Sequence, residues 1–176
     1  MAVGRVHLGP SLRSGGFLVS GLATRPAPPD EGAVREILRG VADPEIPSVS
    51  IVDLGMVERL EVGPGGIEVE LLPTFVGCPA QGFIRDAVIE ALAPLGRPTV
   101  VGYSFRVPWT SDRITAAGRA NLTAAGFAPP AEPRDVRCPR CGSGVVVRDS
   151  YFGPTQCRSL WYCRDCRQPF EAFKPI

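Results

Sequence analysis

The sequence predicts an α+β fold: a small three-stranded sheet with packed helices, followed by a C-terminal four-cysteine ribbon module. Three observations predict it. Apolar residues recur at helical spacing in two well-separated segments, alternating segments of strand character stand between and after them, and two C-x-x-C pairs occupy the last 40 residues. Order begins at Asp30, an N-cap residue, after which Val34, Ile37, Leu38 and Val41 follow at helical spacing until Pro44. Arg59 and Glu61 then alternate with Leu60 and Val62, and Glu68 and Glu70 with Ile67, Val69 and Leu71. Gly63-Pro64-Gly65-Gly66 turns the pair into a hairpin. From Pro79 a second helix carries Ile84, Val88, Ala91, Leu92 and Leu95 and stops at Gly96. Residues 99–107 read as a third strand, with Thr99, Val101, Tyr103, Phe105 and Val107 on one side. Ser111 caps a shorter helix carrying Ile114 and Leu122, closed by Gly126. The order α-β-β-α-β-α places helices over a three-stranded sheet.

These elements divide the chain into a leader (1–29), an α+β domain (30–127), a linker (128–136) and the cysteine module (137–176). A length of 176 residues with 44% apolar content suits one ordinary domain plus a small module and excludes a large multidomain enzyme. No apolar run reaches the roughly 18 residues of a membrane helix, and the first twenty residues lack a secretory core, so a cytoplasmic protein with no membrane contact is expected. The acid-free, Arg-containing leader also fits a targeting sequence or a start codon set too early. His7, the one histidine, lies in that leader, so Ser-His-Asp hydrolysis and histidine-bound di-iron chemistry have no imidazole in the folded body. The net charge of +1 hides a basic leader, an acidic body with 8 basic against 14 acidic residues, and a basic tail with 8 against 4. Such a division favours docking to a protein over wholesale nucleic-acid binding.

Cys138-Pro139-Arg140-Cys141 and Cys163-Arg164-Asp165-Cys166 are separated by 21 residues, the arrangement of a metal ribbon. Two knuckles supply a closed tetrahedral set of four thiolates, which suits structural zinc; a rubredoxin-like iron would accept the same ligands, and a disulfide pair is disfavoured in a reducing compartment. Metal binding of roughly 10–16 kcal/mol would stabilise a module too small to fold on apolar burial alone. Its strands should include residues 145–147 and 160–162. Tyr151, Phe152, Trp161, Tyr162, Phe170 and Phe173 either pack around the knuckles or present a docking surface.

Cys78 precedes Pro79, so the thiol is expected at the N-cap of the second helix with Gln81 three residues on, where the helix dipole favours a thiolate. With no histidine to serve as its base, a cysteine hydrolase is disfavoured; transient metal or cluster ligation, redox sensing and a plain half-buried thiol remain. Asp43-Pro44-Glu45-Ile46-Pro47 reads as a rigid turn. Its acids, and Asp53 in I-V-D-L-G, would help hold a metal or pair with an Arg if their loops meet the Cys78 helix. Cys157, outside the paired knuckles, is expected as a buried ribbon thiol in preference to a fifth ligand, with exchange for a knuckle cysteine the remaining alternative.

D-P-E-I-P (43–47), I-V-D-L-G (51–55) and T-F-V-G-C-P (74–79) together resemble the metal–sulfur cluster assembly domain family. The resemblance implies an α+β domain over roughly residues 30–107 that helps deliver iron–sulfur clusters, with Cys78 matching the family's reactive cysteine and Thr74 its preceding threonine. V-P-W-T-S-D-R-I-T (107–115), C-P-R-C-G-S (138–143), F-G-P-T-Q-C (152–157), L-W-Y-C-R-D-C-R-Q-P-F (160–170) and F-K-P-I (173–176) are similar to the PaaD family, also labelled PaaJ. Those are accessory subunits of the 1,2-phenylacetyl-CoA epoxidase system of phenylacetate degradation. The long leader and Pro175, where a cysteine is expected, depart from that pattern.

The resemblance implies an accessory or maturation factor, not an enzyme, whose partners are the epoxidase oxygenase and reductase subunits and iron–sulfur assembly proteins. Cys78, Thr74, Asp43, Glu45 and Asp53 are its transfer candidates, zinc its structural metal, and an iron–sulfur cluster or iron its transient cargo. A homodimer is the arrangement that one such cysteine per chain favours for holding a cluster. The rival readings are a structural binding subunit of the oxygenase complex and, last, a nucleic-acid-binding ribbon.

Overall fold

A computed structural model describes residues 29–176, so His7 and the leader up to residue 28 lie outside the described residues. Helix α1 (Glu31–Leu38) starts where expected, with the Asp30 carboxylate accepting from Ala33 N at 2.7 Å. It buries Val34 and Leu38 and ends well before Pro44. Beyond it lies a short hairpin, β1 (Ala42–Asp43) and β2 (Ile46–Ser50), folded around the D-P-E-I-P turn. Asp43 Oδ1 accepts from Glu45 N at 2.9 Å and Ile46 N at 3.1 Å, an Asx turn that fixes the corner.

The predicted hairpin forms as β3 (Val57–Gly63) and β4 (Gly66–Leu71). Ile67, Val69 and Leu71 face the core, while Glu68 and Glu70 face outward to Arg59. Gly66 adopts φ +144 with the Pro98 carbonyl where a Cβ would stand, and Ile67 N donates to that carbonyl at 2.8 Å. Helix α2 (Gln81–Leu92) crosses over the sheet and delivers β5 (Thr99–Tyr103) parallel to β4, giving the order β3-β4-β5. Ile84, Val88 and Leu92 are its buried stripe, each stabilising the layer by about 1.5–3 kcal/mol. The third strand stops four residues short of the expected span. Ser104 N still donates to Leu71 O, but Phe105 and Val107 lie exposed beyond the sheet.

Residues 109–122 then fold back over the I-V-D-L-G loop. Trp109 Nε1 donates to Leu54 O at 2.8 Å and Arg113 Nε to Gly55 O at 2.9 Å. Gly55 has φ +66, and a Cβ there would collide with the Arg113 carbonyl oxygen. Helix α3 (Ala116–Ala124) is capped by Thr115, whose hydroxyl accepts from Gly118 N, and not by Ser111, which opens a preceding 3₁₀ turn. Ile114 and Leu122 are buried as expected.

The expected linker begins inside a sheet. Strand β6 (Phe127–Ala128) pairs in parallel with β9 (Pro169–Phe173), which pairs with β8 (Arg158–Cys163), which pairs with β7 (Val146–Ser150). Ala128 is buried in the ribbon core with Trp161 and Phe170, whereas Phe173, at the ribbon's last strand, is buried in the core of the first domain. The six ribbon aromatics divide. Trp161, Phe170 and Phe173 are core residues; Tyr151, Phe152 and Tyr162 are exposed.

Candidate metal centre and inter-module cavity

The four knuckle sulfurs of Cys138, Cys141, Cys163 and Cys166 lie within 4.8 Å of one another, with the 138–166 and 141–163 pairs at 3.6 Å. Zinc–sulfur bonds of about 2.3 Å in a tetrahedron set sulfurs about 3.8 Å apart, so this donor set fits the ion, and all six cysteines are free of disulfides. Each knuckle closes by a local bond, Gly142 N to Cys138 O at 2.8 Å and Cys163 N to Gln168 O at 3.0 Å. Gly142, at φ +73, and Arg167, at φ 58, take the left-handed corners that follow the paired cysteines. The backbone N–H groups of Cys166 and Asp165 point at Cys163 Sγ and hold its thiol below the ordinary value, whereas burial and the neighbouring thiols hold Cys166 above it. Ser143 Oγ donates to Asp165 Oδ2 at 2.5 Å, tying one knuckle to the other.

A second site lies between the modules. A cavity of about 290 Å³ is lined from the first domain by Asp43, Glu45, Thr74 and Cys78, and from the ribbon by Thr155, Cys157 and Arg158. Cys78 is half-buried and sits in a turn, its N–H donating to Phe75 O at 3.1 Å. The N-cap of α2 is Ala80, two residues later than expected, and no side chain caps it. Gln81 instead turns back, its amide donating to Val76 O at 2.9 Å and fixing the T-F-V-G-C-P loop. Tyr103 O–H braces the same turn through Gln81 O at 2.9 Å; burial, with the nearby Cys78, raises its phenol well above the usual range.

The ribbon wall is held by Arg158, whose side chain is 5% exposed. Its Nε donates to Thr155 Oγ1 at 2.6 Å and its Nη2 to Glu45 Oε2 at 3.0 Å, while Nη1 lies 2.9 Å from Glu171 Oε2 as an ion pair without hydrogen-bond geometry. Lys174 N donates to Cys157 O at 2.9 Å and its Nζ to Gln156 O at 2.7 Å, with the rings of Tyr151 and Phe152 over the ammonium. Cys157 Sγ stands 3.3 Å from Thr155 Oγ1. Burial pushes its thiol up, the Thr155 bond and Arg158 oppose that shift, and Asp43 adds to it. Burial likewise raises the Asp43 carboxyl against its two backbone hydrogen bonds.

Of the transfer candidates, the structure gathers Cys78, Thr74, Asp43 and Glu45 around one cavity, and it places Asp53 elsewhere. Asp53 Oδ1 is held by Thr115 Oγ1 at 3.1 Å and Arg39 Nη1 at 3.4 Å, and Asp53 O accepts from Thr115 N at 2.9 Å, so the I-V-D-L-G loop meets α3 instead of the Cys78 turn. Cys157, expected in the ribbon interior, packs instead against the core of the first domain. The F-G-P-T-Q-C motif marks it in sequence, but only the packing of one module on the other brings it to the cavity that Cys78 also lines. Among the described residues no helix is long and apolar enough to cross a membrane.

Comparisons with known proteins match the chain in two parts. Residues 31–102 match the iron–sulfur cluster assembly protein family, and residues 123–174 match the PaaD zinc beta ribbon domain. The chain is 38% identical over 159 residues to the putative D subunit of 1,2-phenylacetyl-CoA epoxidase from Escherichia coli, covering 85% of this chain and 96% of that one. An iron–sulfur cluster carrier protein of Mycobacterium tuberculosis is 37% identical over 76 residues, covering 43% of this chain and only 20% of the carrier. The crystal structure of a domain of unknown function, DUF59, from Bacillus anthracis covers 52% of this chain and 90% of that one, at 27% identity and a TM-score of 0.49.

Proposed function

We propose a role from one premise: the chain belongs to the family of the 1,2-phenylacetyl-CoA epoxidase D subunits, an iron–sulfur cluster assembly domain followed by a PaaD zinc ribbon. It serves as a non-catalytic accessory factor of the epoxidase system in phenylacetate degradation. Cys78 holds iron or an iron–sulfur unit in passage to the oxygenase or reductase subunits, and the ribbon, with its metal fixed, docks the recipient. A cytoplasmic setting suits six unbridged thiols.

One observation carries this reading: Cys78, half-buried with carboxylates and a threonine, lines a cavity large enough for a small inorganic unit and open to delivery. The centre formed by Cys138, Cys141, Cys163 and Cys166 has no vacant position in its tetrahedron, so it suits structure and not handover. The decisive experiment replaces Cys78 with Ser in the host and measures iron and cluster occupancy of the epoxidase and reductase subunits. Under-loaded partners are expected; full loading with full activity overturns the role.

Exposed Tyr151, Phe152 and Tyr162 favour a second reading, a structural subunit of the oxygenase complex. A stoichiometric complex that stays active after Cys78→Ser would establish it.

A further inference from the structure

The ribbon sheet carries apolar residues on both faces, the pattern of a sheet covered twice, yet the second face is covered only at one end. The first face holds Val146, Cys163, Trp161 and Phe170 over the knuckles. On the second, Arg158 and Phe173 stand opposite each other in register, one bonded to Glu45 and the other buried in the core of the first domain. Two rows further on, Val147, Tyr162 and Pro169 lie abreast across β7, β8 and β9, and all three are exposed. Exposed Val145 precedes β7 on the same face, its carbonyl accepting from Arg164 N at 2.9 Å. Beside this row a cavity of about 270 Å³ brings Arg140 together with Phe127, Leu160 and Pro169.

The free charges beside the row are cationic. Among the described residues Arg140 and Arg164 form no ion pair, while the ribbon's acids are engaged elsewhere: Asp135 by Arg134, Asp165 by the Ser143 hydroxyl and Glu171 by Arg158. Asp149, the remaining one, sits in the bulge at the far end of β7. The charge of a filled zinc centre lies toward the opposite face, where Cys138 and Cys163 are buried with Trp161.

We propose that this open face, Val145, Val147, Tyr162 and Pro169 with Arg140 and Arg164, is where the ribbon docks its recipient, and that the recipient offers a segment carrying apolar residues beside carboxylates. This rests on the reading of the ribbon as a docking module and deepens it by naming the surface and the chemistry of its partner. Tyrosine and arginine concentrate binding energy, the one through a rigid amphipathic ring and the other through paired N–H bonds to a carboxylate. The apolar row loses its water to the partner's apolar residues, and the two guanidiniums meet carboxylates without first leaving partners of their own. A nucleic acid is the other polyanion that arginines attract, but it has no apolar side chains to set against a valine–tyrosine–proline row. Three strands span only about 10 Å, so the contact is small, as suits a partner that leaves once loaded.

The test measures binding of the full-length, zinc-loaded chain to the purified oxygenase and reductase subunits of its host at low and at high salt. Wild type should bind one of them, more weakly as salt rises. Arg140→Glu with Arg164→Glu should weaken that binding at least about tenfold, and Val147→Ser with Tyr162→Ser likewise, each variant keeping one zinc. Undiminished binding in both variants overturns the inference and leaves docking to another surface. Weakening in one variant alone also overturns it, since the face is argued from the apolar row and the cations together. Wild type that binds neither subunit overturns the docking role and the inference with it, and tighter binding to a mixed-sequence DNA duplex than to either subunit overturns the choice of partner. Should a variant lose its zinc, hydrogen exchange of the wild-type complex decides the matter. Slowed exchange at Val145 and Val147 supports the face; unchanged exchange there overturns it.

Discussion

Arg158 joins Glu45 across 113 residues of chain, Nη2 to Oε2 at 3.0 Å, and so ties the ribbon to the D-P-E-I-P turn of the first domain. The guanidinium is buried, while nearly half of the Glu45 side chain is exposed.

Removing the guanidinium therefore costs more than removing its partner. Arg158→Met leaves Glu171 without a counter-ion and should destabilise by about 2–3 kcal/mol, below the range for a fully buried pair because Glu45 can reach water. Glu45→Gln, which keeps an acceptor, should cost less than about 1 kcal/mol. Denaturant melts of the two variants check the order.

Gly55 is a stricter requirement of the fold than its motif suggests. Gly55→Ala must place a Cβ against the Arg113 carbonyl in a left-handed backbone, and should cost at least about 3 kcal/mol. Thr115→Ala, which removes a helix cap and the hydroxyl on Asp53, should cost about 1–2 kcal/mol. Thermal unfolding of each variant measures both.

Zinc removal should reach beyond the ribbon. Chelation deprives the knuckles of their ion, and Phe173, which the ribbon contributes to the first core, then loses its anchorage. Circular dichroism should show the first domain surviving with a lowered melting temperature. Phe173→Ala should reproduce that loss at about 3–4 kcal/mol with zinc still bound.

Tyr103 gives a pH dependence with a definite sign. Its folded-state phenol is raised above the ordinary value of 10.0, chiefly by burial, so the stability it contributes is complete below pH 10 and is lost as pH rises further. Tyr103→Phe should lower stability at neutral pH by about 1 kcal/mol, through the lost bond to Gln81 O, and should lose stability less steeply than wild type as pH rises above about 10. Denaturant midpoints across that range test it.

Long periodic elements were legible in the sequence. The stripes of α1 and α2, the Gly-Pro-Gly-Gly hairpin and the paired knuckles all stand where spacing put them. Short pairings were not: β1 and β6 have two residues each, too few to carry any alternation, and β6 exists because β9 offers it a partner. Pro79 drew the α2 cap to Cys78, whereas the turn is organised by Gln81 reaching back to Val76, a side-chain bond that propensity does not encode. The candidate site divided along the same line. Asp43, Glu45, Thr74 and Cys78 converge on one cavity although I-V-D-L-G separates their motifs in the chain, while the surroundings of Asp53 and Cys157 are decided by the packing of α3 and of the ribbon, which no local pattern encodes.

The crossing of Ala128 into one core and Phe173 into the other bears on anyone wishing to exchange tails between relatives. A splice at the apparent border near residue 128 would cut a hydrogen-bonded ladder and leave a hole where an aromatic ring had plugged the neighbouring body. A working chimera must transplant the tail together with the surface it plugs, so the smallest portable part here is the whole described chain.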